Sequence, residues 1–453
     1  MNKSTKDDFS IKSSLFFIIP SLIGVLLFMI PISFNGEITI PVAILSKSLA
    51  KFLGDWLTTI ITIVIFISAI TSIITKIFKP DFIIKNEFLN TLFNMKLVWL
   101  IARVVGSIFC ILALFKVGPE FIINDSTGAF VLNDLLTILF TIFFFAGLLL
   151  PLLLNFGLLE FFGALLTKVM RPIFKLPGRS SIDCITSWLG DGTLGIMLTN
   201  KQYEEGFYSK REAAIISTTF SAVSITFSLI VIDTVGLSHL FIPFYLTVSL
   251  SGVIAAIIIP RIYPLCKVPD TYYNNQEKKD DESIPEGYTP LSWGYKKALS
   301  KASQNSDIKQ FFIDGFKNVL DMWLGVLPVV MALATTALII AKYTSLFQLL
   351  GLPFIPYLKL LQVPEAVAAS QTLVVGFADM LLPSVLAANT ITSDMTKFIV
   401  ACTSVSQLIY MSEVGGVLLG SKIPVSLKQL LILFIERTII TLPIIVLVAN
   451  IIF

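Results

Sequence analysis

Apolar runs of about 20 residues recur near 13–34, 57–78, 97–115, 132–154, 211–235, 240–263, 317–341, 397–420 and 428–450. A helix of that length crosses about 30 Å of hydrocarbon, so the pattern predicts an all-α polytopic membrane protein with about nine transmembrane helices. Two more apolar stretches, 178–200 and 365–390, are interrupted near their middles, at Gly190-Asp191-Gly192 and at Gly376-Phe377-Ala378-Asp379. Their arms, about 10 to 13 residues each, are too short to span, and a Gly/Asp cluster breaks a helix. Two re-entrant hairpins are therefore expected. Lipid cannot replace the hydrogen bonds lost at such a break, so each tip must be buried in protein or line a watery cavity.

Each hairpin belongs to a motif that occurs twice, from about Leu158 to Ser228 and from about Leu346 to Glu413. A short amphipathic stretch leads to Leu176-Pro177 or Val363-Pro364, then to the break, then to a hydroxyl-rich apolar helix. That helix carries Ser217-Thr218-Thr219-Phe220-Ser221 in the first copy and Cys402-Thr403-Ser404-Val405-Ser406 in the second. Paired interrupted segments in the two halves of a membrane protein point to a transporter's solute site. The chain divides accordingly into N-terminal scaffold helices (1–155), a first repeat (156–264), a polar linker (265–310) and a second repeat (311–453). The linker's composition suits a solvated segment with one short amphipathic helix.

Orientation follows from the basic residues. Lys79, Lys85, Lys96, Lys168, Arg171, Lys175 and Arg179 fall on one side, which the positive-inside rule makes cytoplasmic, with the N-terminus cytoplasmic as well. Lys47, Lys51 and Lys116 run against this assignment. The spans near 211–235, 240–263 and 317–341 separate the two hairpins. An odd number of crossings makes the hairpins enter from opposite faces, so the repeats are inverted, as in carriers that work by alternating access.

Composition narrows the class further. Hydrophobic residues make up 55%, charged residues 14%, and the mean hydropathy is +0.86, against about 25% charged residues in soluble domains. A dispersed net charge of +3 excludes nucleic acid as a partner. Cys110, Cys184, Cys266 and Cys402 form no paired motif, and His239 is the single histidine. These residues supply neither a metal site nor a catalytic constellation, so an enzyme is not expected.

The candidate chemistry lies at and after the breaks. Ser217, Ser221, Ser224 and Ser228 would form one stripe on a continuous helix, and Cys402, Ser406, Tyr410 and Glu413 another. Small hydroxyls also serve as packing contacts between membrane helices. Thr219, Ser221, Ser406 and Gln407, beside the breaks, are the candidates for solute contact. Asp191, Asp379 and Glu413 are carboxylates in apolar runs, where an ionised group costs roughly 2.5 to 3.5 kcal/mol or more. At a tip such a carboxylate either caps the following half-helix or meets solute or cation. Glu436 and Arg437 are expected to make structural ion pairs with separate partners.

The stretch Arg179-Ser180-Ser181-Ile182-Asp183, then Trp188-Leu189-Gly190-Asp191-Gly192-Thr193, Asn200-Lys201-Gln202-Tyr203 and Ser217-Thr218-Thr219-Phe220-Ser221 resembles the YjiH-type nucleoside-recognition (Gate-domain) membrane proteins. Gate domains also resemble parts of concentrative nucleoside transporters, whose architecture is two inverted hairpins flanked by interrupted helices. The resemblance implies solute contacts at Asp191 and Thr193 on the first hairpin, at Gln371 and Asp379 on the second, and at Ser404, Ser406 and Gln407 after it. The residue types suit a nucleoside, or an amino acid or small peptide, equally.

The expected function is secondary active transport of a small polar solute across the bacterial cytoplasmic membrane. The alternative is a gating or structural component of a multi-protein assembly. No nucleotide-hydrolysing motif is present, so Na+ or H+ is the expected coupling ion and no other cofactor is called for. Na+ would sit near Thr218 to Ser221 or Thr403 to Ser406, and H+ would use Glu413 or Asp191. The lipid bilayer is the expected surrounding, and a homo-oligomer stays open.

Overall fold

The computed structural model describes residues 11–30, 32–34, 37–190, 192–220, 225–277, 282–304 and 307–453. Asp191, Ser221 and Ser224 therefore lie outside the described residues. The described chain is mostly helical, and its strands form one short antiparallel ribbon, Ile32–Phe34 with Glu37–Thr39, in which Ile32 faces Thr39.

Among the described residues, six helices are long and apolar enough to cross a membrane: Trp56–Phe78, Leu97–Phe115, Glu120–Leu154, Ser238–Lys267, Lys309–Tyr343 and Leu427–Ile452. The first expected span corresponds to the helix Ile11–Met29, shorter than the run in the sequence. Two other expected spans are not single helices. The 211–235 run divides into Lys210–Thr219 and Ile225–Thr234, and the 397–420 run into Asp394–Ser406 and Val414–Gly420. Hydropathy reports burial rather than backbone continuity, so a broken helix and an intact one give the same apolar run. The two hydroxyl stripes assumed continuous helices, and in the second the helix ends at Ser406, which removes Tyr410 and Glu413 from it.

A similar element order occurs twice. The first runs through the amphipathic helix Leu158–Phe174, hairpin arms Ser180–Ile185 and Gly192–Glu204, the first broken helix and the long helix Phe241–Ile258. The second runs through Leu346–Gly351 and Ile355–Leu360, hairpin arms Ala366–Leu373 and Leu382–Thr390, the second broken helix and the C-terminal helix Leu427–Ile452. In the first hairpin the antiparallel arms are joined by a hydrogen bond from Thr199 Oγ1 to Asp183 Oδ2 (2.9 Å). In the second, Glu365 at the start of one arm accepts from the Thr392 amide (3.1 Å), the Thr392 hydroxyl (2.6 Å) and the Ser393 amide (2.8 Å) just beyond the other.

Those bonds hold the Glu365 carboxyl below its ordinary value, the Thr392 hydroxyl contributing most, then the Ser393 and Thr392 amides. A depressed carboxyl stabilises the fold above its unfolded-state value and loses that contribution as pH falls through the folded-state value. Hydrogen-exchange protection at Thr392 and Ser393, corrected for intrinsic rates, is expected to fall as pH drops through the depressed folded-state value of Glu365. It should be lost at all pH values in Glu365→Ala. Unchanged protection in that variant would show that the hairpin base closes without this carboxylate.

The C-terminal helix is the ruler of the fold, about 39 Å long at 1.5 Å per residue. Near its start, the Lys422 amide donates to Asn200 Oδ1 at the base of the first hairpin (2.8 Å). At its other end, the Phe453 ring packs 5.8 Å from that of Phe398, one turn past Ser393 at the base of the second hairpin. The two hairpin bases thus lie at opposite ends of this helix.

The linker is less solvated than its composition suggested. Arg171 on the first amphipathic helix bonds Glu212 (2.7 Å) and the linker residue Glu282 (2.7 Å from Nε), and Ser209 donates to Asp270 (2.6 Å). Its amphipathic helix, Pro290–Gln304, buries Ala298, Leu299 and Ala302 against Phe17, and Tyr295 meets Phe17 edge-on at 6.0 Å.

Candidate functional site

Both broken helices present the C-terminal end of their first half to one side chain. Lys210–Thr219 and Asp394–Ser406 end beside Arg437, a fully buried residue in the C-terminal helix. Its Nε donates to the Ser406 carbonyl (2.9 Å), and Nη1 donates to the carbonyls of Thr218 (3.5 Å) and Thr219 (3.4 Å). A half-helix exposes unbonded carbonyls at its C-terminus and carries about half a negative charge there. One guanidinium serves two such ends because its donors form a planar fork. The expected ion pair is corrected by these bonds: among the described residues the acceptors of Arg437 are main-chain carbonyls, supplied where two helices end.

The break in the second repeat is closed by backbone. Residues 407–413 are not helical, with Leu408 in the left-handed region at φ 59°. The Met411 and Ser412 amides donate to the carbonyls of Phe377 (2.8 Å) and Ala378 (2.9 Å) at the second hairpin's tip. Asp379 accepts from the Leu381 amide (2.9 Å) and from the Ser412 hydroxyl, so it caps the second arm and ties the tip to the break. Gln407 donates through Nε2 to the Leu373 carbonyl (3.0 Å) and Thr438 Oγ1 (2.8 Å). Its Oε1 is buried without a partner.

The remaining predicted residues separate into distinct roles. Thr218 and Thr403 donate back to the carbonyls of Ala214 (2.6 Å) and Ile399 (2.7 Å), and Thr219 does so to Ile215. Ser404 donates to Ala401 (2.9 Å) and Ser406 to Thr403 (3.1 Å). These hydroxyls are buried and mostly spent on their own helix. Thr193 is buried in the first turn of Gly192–Glu204, while Glu413 starts the half-helix Val414–Gly420 and is half-buried. Gln371 is exposed and does not join the others.

A cavity of about 30 Å³ lies beside Arg437 and is also lined by Trp188, Thr219, Ser228, Tyr245 and Ser406. Three polar atoms of its lining are buried without a hydrogen-bond partner: Arg437 Nη2, Trp188 Nε1 and Ser228 Oγ. Leaving one such group unpaired costs about 1 to 3 kcal/mol. Sequence reasoning gave Trp188 no role and read Ser228 as packing. A lone arginine in the last apolar span was the one signal available.

A second cavity, about 100 Å³, lies at the base of the first hairpin, lined in part by Asn200, Glu204, Asp321 and Lys422. Lys422 lies 3.7 Å from Asp321, an ion pair between segments about 100 residues apart in the chain. Arg103, another buried cation that the sequence reading passed over, donates to Ser72 (3.0 Å) and Ser68 (3.2 Å) among the scaffold helices.

The Gate family, described as nucleoside recognition, matches residues 136–238. That segment holds the first amphipathic helix, the first hairpin and the first broken helix, and leaves the second repeat outside. A protein of Alkalihalophilus pseudofirmus, itself described only as uncharacterized, is 50% identical over 437 residues, or 96% of this chain and 94% of that protein. No solved structure matches. The chain is therefore a multi-pass membrane protein of the same family as the Alkalihalophilus protein, and it carries a Gate domain.

Proposed function

We propose that this chain is a secondary active transporter of a small polar solute, working by alternating access in the bacterial cytoplasmic membrane. The solute is nucleoside-like, or an amino acid or small peptide, and the driving ion is Na+ or H+. One observation carries the reading: two broken helices, each behind its own hairpin, bring the C-terminal ends of their first halves to Arg437 beside a cavity. Discontinuous helices meeting near the middle of a membrane protein form carrier sites, because their unpaired ends bind charge and the repeats can rock about the meeting point. The hairpin bases at opposite ends of the C-terminal helix support an inverted relation between the repeats. The Gate domain and the apolar helices support transport over catalysis.

Proteoliposomes holding only this chain test the reading. Uptake of labelled uridine, L-alanine or dialanine is expected to exceed equilibrium under an imposed Na+ or H+ gradient and to collapse when an ionophore removes it. Absence of flux for every solute class under either gradient would leave the chain as a gating or structural component.

Topology has its own test. Gly178 and Asn200 at the first hairpin's base are buried, so labels belong on neighbours. In a cysteine-free background, Lys175→Cys and Glu205→Cys should react with an impermeant maleimide only from the cytoplasmic side. Gln362→Cys and Thr390→Cys should react only from outside. Labelling of both pairs from one face would end the inverted reading.

A further inference from the structure

We propose that the cavity beside Arg437 holds a carboxylate group of the transported solute. The assignment rests on the carrier reading for the word transported, and on the cavity's own chemistry for the word carboxylate.

The donors decide the class of ligand. Arginine and the indole N–H can only donate, and Arg437 Nη2 and Trp188 Nε1 both lack a partner at the same cavity. Ser228, 1% exposed, adds a hydroxyl that is also without a partner. Among the described residues no acidic side chain lines the cavity. What fits is a group that presents oxygen acceptors.

Charge then separates a carboxylate from a neutral carbonyl. Arg437 is buried in the membrane-embedded part of the fold and its partners are carbonyls. The two half-helix ends supply partial charges only, and Nη2 is left without a partner. A carboxylate brings a full counter-charge with two acceptor oxygens, the arrangement a guanidinium binds best. Size agrees, since about 30 Å³ is room for roughly two waters, or for one carboxylate head and not a whole nucleoside. Tyr245 and Val248 line the same cavity and offer an apolar wall to the atoms behind the head group.

The geometry also changes the ion-coupling picture. The carbonyls of Thr218, Thr219 and Ser406 are the kind of half-helix ends that bind Na+ in carriers, and here Arg437 occupies them. The cation at the crossing is part of the protein, and one of its donor groups is left without a partner.

Equilibrium binding to the purified full-length chain in detergent tests this without transport. L-alanine and lactate should raise the melting temperature and bind measurably, while alaninamide and lactamide, which keep shape and lose charge, should bind at least tenfold more weakly. Trp188→Phe and Ser228→Ala should each weaken L-alanine binding about tenfold with the ligand-free melting temperature little changed. Arg437→Lys should weaken it further. Equal binding of acid and amide would overturn the proposal, as would unaltered affinity in both Trp188→Phe and Ser228→Ala. Uridine binding that depends on Trp188 while carboxylates do not bind would replace the carboxylate with a neutral acceptor. Chloride that stabilises the chain with the same variant sensitivity, and that carboxylates cannot displace, would make this an inorganic anion site. Carboxylate binding without flux in proteoliposomes upholds the site and defeats the carrier reading; flux of neutral solutes alone does the reverse.

Discussion

Arg437→Met is expected to abolish uptake in proteoliposomes and to destabilise the chain by about 3 kcal/mol. Methionine fills much of the same space but donates nothing, so the carbonyls of Ser406, Thr218 and Thr219 lose the partner that holds two half-helix ends together. Inside a membrane-embedded core no solvent replaces it. The opposing term is the relief of burying a charge, several kcal/mol for an ion without compensation. Three carbonyls and two helix ends compensate it here, so the loss outweighs the relief. Arg437→Lys should fall between, because a single ammonium keeps the charge but lacks the fork that reaches both ends. Melting curves of the three proteins and their initial uptake rates provide the check. A methionine variant with wild-type melting would mean that the broken helices meet without needing Arg437.

Alanine at Gly178 or at Gly351 is expected to cost about 1 to 3 kcal/mol or more. A Cβ at Gly178 would lie 2.1 Å from the Gly163 carbonyl oxygen and 2.5 Å from the Thr167 amide nitrogen. One at Gly351 would lie 2.1 Å from the Ser370 carbonyl oxygen. In both cases the obstacle is backbone, which cannot rotate away as a side chain can. Each glycine sits where an amphipathic helix meets its hairpin, so the substitution pushes the hairpin off its support. Uptake should fall with stability, since the hairpins hold the broken helices in place. Gly252→Ala is the control: its Cβ would stand 3.6 Å from the Trp188 ring, an ordinary contact, and should change stability by less than about 0.5 kcal/mol. Equal melting temperatures for all three variants would show that the close approaches relax freely.

The order of the elements was legible because its signals are local. A Gly/Asp break inside an apolar run is a property of consecutive residues, and the order of amphipathic stretch, hairpin and hydroxyl-rich segment survives without any knowledge of packing. The interruption of the two following helices was not legible by the same means. Residues 397–420 are apolar whether or not the helix stops at Ser406, and what stops it is the tip of the second hairpin, whose Phe377 and Ala378 carbonyls take the Met411 and Ser412 amides. That partner lies more than 30 positions away in sequence, so no local pattern announces it. Asp379 shows the same division: a carboxylate in an apolar run is visible in the sequence, but its bonds to Leu381 and Ser412, which make it a cap, exist only once the tip meets the break.

By itself the sequence determined the membrane class and the order of the apolar segments, because hydropathy acts over a few neighbours. The tertiary structure alone decided which of the polar groups meet. Arg437 became the centre because two half-helix ends from different repeats arrive at it, and Trp188 and Ser228 became candidates because folding leaves their polar atoms unpaired at its side. Hydrogen-bond satisfaction is a property of the whole packed chain, and so the residues that folding leaves unsatisfied could be found only in the folded molecule.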